Sequence, residues 1–71
     1  PIAQRVMGLI LSQQKQDLEA TKLLEAAAGS MPQDKAIHQA LAVSYERLGE
    51  HDLARHHRAL GEPTAAATES N

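Results

Sequence analysis

The sequence predicts an all-α fold: four helices paired as two antiparallel hairpins and stacked as a short length of α-solenoid. The first observation is a pattern of large and small residues that occurs twice, 34 residues apart. Met7-Gly8, Leu11, Ala20, Leu24, Ala27 and Pro32 are followed, less completely, by Leu41-Ala42, Tyr45, Ala54, Arg58, Gly61 and Ala66. A fixed period in this range marks a repeat array, whose hairpins bury apolar faces against one another. The second is composition: thirteen Ala and nine Leu, with one Tyr and no Phe or Trp in 71 residues. A core so poor in aromatics must bring backbones close together, which suits Ala-rich helices and argues against a β-sandwich. The third is punctuation, with helix-period apolar runs separated by Gly, Pro and Asp.

A first helix is expected over residues 2–14. Its apolar residues at 2, 3, 6, 7, 9, 10 and 11 cover an arc of roughly 200°, about twice an ordinary amphipathic stripe. More than one face of this helix needs cover. Lys15-Gln16-Asp17 is the turn, with Asp17 expected as an N-cap accepting backbone N–H bonds. The second helix, over 18–28, is built on Leu18, Ala20, Thr21, Leu24, Ala27 and Ala28. Gly29 is expected to stop it in a left-handed conformation, and Pro32 to prevent an early restart. Asp34 caps a third helix reaching to residue 48, with Ile37, Ala40, Leu41, Ser44, Tyr45 and Leu48 on one face. Gly49 ends it. A tight turn leads to the fourth helix, over 52–60, closed by Gly61-Glu62-Pro63. The domain expectation is two hairpin repeats, about 1–34 and 35–61, and a disordered tail at 62–71, small and polar from Thr64 onward.

Composition sets limits on function. Seventy-one residues make one small domain, near the lower limit for a self-sufficient core. With no Cys there is no disulfide and no thiolate metal site. The net charge of −2, with signs interspersed, leaves no footprint for nucleic acid or an anionic membrane. No apolar run approaches the ~20 residues that span a bilayer. The N-terminus has neither an initiator Met nor a secretion signal, so a fragment of a longer chain is expected.

The spacing resembles that of the tetratricopeptide-repeat family over residues 2–61. Gly8 and Ala20 stand where the family places small residues so that the two helices of a hairpin can touch. Ala27 has the equivalent place against the next repeat, and Pro32 the hairpin's end. Met7, Leu11 and Leu24 fill the large positions, and Tyr45-Glu46-Arg47-Leu48-Gly49 is typical of the family. Departures are Gln4 in place of a large aromatic, Arg58 and Glu62 in place of apolar residues, and the missing second proline. A polar last helix is how a solenoid caps its end.

The resemblance implies a protein-interaction module whose first helices line a concave groove for a partner protein or peptide. The lining would be Ile2, Arg5, Leu9, Ser12 and Gln13, with Ala36, Gln39, Val43, Glu46 and Arg47. Leu9 and Arg5 do not reproduce the Lys and Asn clamp with which some members hold a terminal carboxylate, so a mixed apolar and polar contact is expected. Two alternatives stay open: a non-catalytic accessory segment of a larger enzyme or secretion component, and a self-association module forming a homodimer. The broad apolar arc of the first helix, through Ile2, Val6, Leu9 and Ile10, favours contact with a second copy, upstream repeats or a peptide.

No catalytic role, metal or cofactor is expected. His51, His56 and His57 gather around the fourth helix with Asp52, but no two His are four apart and His38 lies on another helix. Ser12, Ser30 and Ser44 sit in no strand-to-helix elbow, and the four Gly are scattered singly. Arg55-His56-His57-Arg58 is diluted by Glu50 and Asp52, as a solvated face would be.

Overall fold

The computed structural model describes residues 2–62; the expected tail, apart from Glu62, lies outside the described residues. Four helices follow in order: α1 (Ile2–Gln13), α2 (Asp17–Ser30), α3 (Lys35–Arg47) and α4 (His51–Gly61). Among the described residues there is no strand. Helix α1 pairs with α2 and α3 with α4; α2 and α1 then meet α3, so one hairpin stacks on the other. The fold is all-α, as the sequence predicts.

The 34-residue period is written into the backbone as well as the side chains. Helices α1 and α3 end at Gln13 and Arg47, and α2 and α4 begin at Asp17 and His51. Lys15 (φ 64°) and Gly49 (φ 82°), also 34 apart, take the left-handed conformation. Each is followed by the same turn bond: Gln16 N–H donates to Leu11 C=O and Glu50 N–H to Tyr45 C=O, both at 2.9 Å. This is a Schellman-type stop, and Gly49 adopts it without the Cβ penalty that Lys15 carries.

Ala20, Leu24, Ala27, Ile37 and Leu41 form the fully buried core between the hairpins. Small residues sit where the period places them. Gly8, Ala20 and Ala27 are buried in the first hairpin, and Ala42, Ala54 and Gly61 in the second. A Cβ on Gly8 would lie 2.7 Å from both Cγ and Cδ2 of Leu24, so α1 and α2 meet too closely for any side chain there. Where the first hairpin has Leu24 the second has Arg58, which is half exposed, and Ala42 is accommodated.

Several local expectations are corrected. Asp17 is no N-cap: Gln16 holds that position without a side-chain bond, and Asp17 opens the helix with its carboxylate turned to α3. Stronger partners draw it there, namely Ser44 and the Arg47 guanidinium. Gly29 does not stop α2, which continues through it to Ser30. Pro32 disfavours helical backbone at the residue before it, so the break comes at Met31 instead. Leu18, expected in the core, is 63% exposed, and Leu48 is only partly covered, at 39%. Helix α4 starts a residue earlier than expected and includes Gly61. Asp34 does cap α3, accepting from Ile37 N–H at 3.2 Å.

Candidate functional site

Because α1 and α3 lie side by side at one edge, they leave an open groove of about 480 Å³. It is lined by Leu9, Ser12, Gln13, Ala36, Gln39, Ala40, Val43 and Arg47. Val43 contributes exposed apolar surface, and Leu9, Ala36 and Ala40 are partly buried beneath it. A smaller hollow of about 280 Å³ continues toward α4, sharing Gln39 and Val43 and adding Ala42, Arg58, Gly61 and Glu62. Gln39 Nε2 donates to the Gly61 carbonyl at 2.9 Å, which fixes the amide between the two hollows. Gly61 has to be Gly here, since a Cβ would come within 2.9 Å of Gln39 Cγ and 3.0 Å of its backbone N.

Of the residues expected to line the groove, Leu9, Ser12, Gln13, Ala36, Gln39, Val43 and Arg47 do so. Ile2, Arg5 and Glu46 do not belong to that lining. Ile2 is exposed at the start of α1. The Arg5 Nε donates to Asp34 Oδ2 at 2.7 Å, tying α1 to the cap of α3. Glu46 faces α4, 3.0 Å from His51 and 3.7 Å from Arg58. The bond to His51 holds the Glu46 carboxyl below its ordinary range.

The charged residues by the groove are satisfied within the chain. Arg47 Nε and Nη2 both reach the Asp17 carboxylate, and Nη2 also donates to the Ser12 carbonyl at 2.6 Å. Ser44 Oγ donates to Asp17 at 2.8 Å and so accepts from Ser12 Oγ, also at 2.8 Å. The Arg47 hydrogen bond holds the Asp17 carboxyl below its ordinary range, against the opposing effect of burial. Asp34 is lowered likewise, first by its bond to Arg5. With these cations neutralised, the groove offers an apolar strip edged by amides.

A second cluster lies in the seam between hairpins. His38 on α3 and His57 on α4 are both buried, with their Nδ1 atoms 2.9 Å apart. His57 reaches on to Glu25 of α2. Sequence reasoning set His38 apart from the other histidines and so missed this pair. A signal was present in the stripe Ala54, His57, Gly61, whose three-then-four spacing marks the buried face of α4. Among the described residues no three His, Cys, Asp or Glu side chains are grouped to hold a metal ion.

Two hairpins in a 34-residue register, with a groove along their first helices, define the class: an all-α protein of stacked helical hairpins. No family model, no curated protein and no solved structure matches the chain.

Proposed function

We propose that this chain is a protein-interaction module of the tetratricopeptide-repeat kind, holding a segment of a partner in the groove between α1 and α3. The observation that carries the reading is a preformed groove with exposed Val43 and amide-bearing Gln13 and Gln39, whose neighbouring cations are already paired. Such a surface suits a partner segment of apolar side chains whose peptide groups meet the two amides, and it gives little to a highly charged one. The test is a panel of short extended peptides added to labelled protein, with amide shifts followed by NMR. Apolar members of the panel should move Leu9, Gln39 and Val43 together, and Val43→Asp should abolish the response. If no peptide moves those signals, or the shifts fall only elsewhere, the reading fails.

A second reading, self-association, is favoured by the outer face of α1. Val6, Met7 and Ile10 are 46%, 53% and 43% exposed. They stand 34 residues before Ala40, Leu41 and Ser44, on the helix that meets the first hairpin. An equivalent helical surface, supplied by a second copy, would cover them. Sedimentation equilibrium decides this: a monomer at high micromolar concentration would remove the homodimer. Service as an accessory segment of a larger enzyme or secretion component is compatible with either reading and adds no chemistry to these residues.

A further inference from the structure

The His38–His57 cluster is not used by the groove, and its hydrogen bonds can be counted proton by proton. Both rings are about nineteen-twentieths buried. They are nearly parallel (18°) with centroids 5.1 Å apart, and their Nδ1 atoms approach to 2.9 Å, so they meet edge to edge through nitrogen. His38 Nε2 lies 2.7 Å from the Pro32 carbonyl oxygen. His57 Nε2 lies 3.2 Å from Glu25 Oε2, which also accepts from the Tyr45 hydroxyl at 2.6 Å.

Each contact needs its own proton. The Pro32 carbonyl can only accept, so His38 Nε2 carries a hydrogen. Two facing nitrogens at 2.9 Å need a hydrogen between them. The Glu25 carboxylate, already accepting from Tyr45, takes a third from His57 Nε2. Two neutral imidazoles hold two protons, one short of the three required.

We infer that His38 and His57 form a buried proton-binding site, holding one proton more than two neutral rings and charge-balanced by Glu25. Burial pushes His57 below the ordinary histidine range, although Glu25 opposes this. Both Nε2 atoms then donate, and the third proton lies between the two Nδ1 atoms, so one ring of the pair is an imidazolium and the other accepts at Nδ1. The groups facing the pair come from every element around it. They are Glu25 from α2, Tyr45 from α3, the edge-on His56 ring from α4, and the Pro32 carbonyl from the connecting loop. Glu50 acts through Tyr45. Burial and the Glu25 carboxylate push the Tyr45 phenol up, so it stays a donor.

Loss of the third proton leaves one contact of α4 without its hydrogen: either the two Nδ1 lone pairs oppose each other or, if His57 switches tautomer, its Nε2 lone pair faces the Glu25 carboxylate. The site thus couples docking of α4 to pH. The folded chain keeps a proton that unfolded histidines release at about pH 6.5, so this contribution falls as pH rises through the folded-state midpoint. Helix α4 also supplies the Gly61 carbonyl that holds Gln39, which carries the change to the end of the groove whatever the groove binds.

Ring-nitrogen NMR on the whole chain tests the inference. At about pH 7, where a free imidazole is mostly neutral, both Nε2 atoms and one of the two Nδ1 atoms should be protonated, three nitrogens in all. Two neutral rings at that pH overturn it. Glu25→Gln should move the release of the third proton down by roughly one pH unit. An unchanged midpoint would remove Glu25 as the balancing charge and overturn the site as described.

Discussion

Gly8→Ala and Gly29→Ala make the same chemical change in two helices, and the structure gives them opposite signs. In an unobstructed helix the change stabilises by about 1 kcal/mol, because Ala loses less backbone freedom on folding. Gly29 is unobstructed: it is helical, exposed, and has nothing within 4 Å of a built Cβ. At Gly8 the new methyl would sit 2.7 Å from two carbons of Leu24 and 3.3 Å from its backbone N. Leu24 is fully buried in the core and cannot swing clear, and overpacking of this kind costs about 1–3 kcal/mol. Two contacts under 3 Å put the cost in the upper part of that range, about 2–3 kcal/mol, so the net expectation is a gain of about 1 kcal/mol for Gly29→Ala and a loss of about 1–2 kcal/mol for Gly8→Ala. For a domain of this size that is a fall of about 5–15 °C in melting temperature at position 8, readable by circular dichroism. Leu24→Ala removes both obstructing carbons. In that background, kept folded with sucrose, Gly8→Ala should change from loss to gain. Equal stabilisation by Gly8→Ala and Gly29→Ala would refute the close approach of α1 and α2.

Lys15→Gly should raise the melting temperature, adding about 1 kcal/mol by relieving a left-handed non-glycine; no gain would mean that φ 64° is not strained. Ala20→Leu, which adds three heavy atoms at a fully buried site, should cost about 1–3 kcal/mol, and a variant melting like the parent would contradict the packing. Asp17 and Asp34 are held below the free carboxylate value of 3.8 by Arg47 and Arg5. Their stabilisation is therefore complete above that value and lost as pH falls through the depressed folded-state values. Melting temperature should drop on acidification below about pH 4, less steeply in Arg47→Met, and identical slopes would rule out the Arg47–Asp17 contribution.

The fold was legible because its signals are local or periodic. Asp34 caps α3 from within its own turn, Gly49 supplies the left-handed residue it favours, and the small residues at 8, 20, 27, 42, 54 and 61 mark the buried faces in order. The groove lining was largely legible for the same reason, since Leu9, Gln13, Gln39 and Val43 recur on one arc of each first helix. Local rules failed where a residue's partner is remote in the chain. Asp17 reads as an N-cap until Arg47 and Ser44 arrive from α3 with better hydrogen bonds. Lys15 has no preference for a left-handed turn, and the turn that brings α2 back along α1, closed by the Gln16 N–H to Leu11 C=O bond, imposes one. Gly29 looks like a stop only while the helical backbone is free to leave at that residue, and here it breaks only at Met31, before Pro32. His38 and His57, nineteen residues apart, are ordinary polar side chains in the sequence. Stacking the hairpins removes both from water together, and a buried nitrogen must then find its hydrogen bond in whatever the fold has placed beside it.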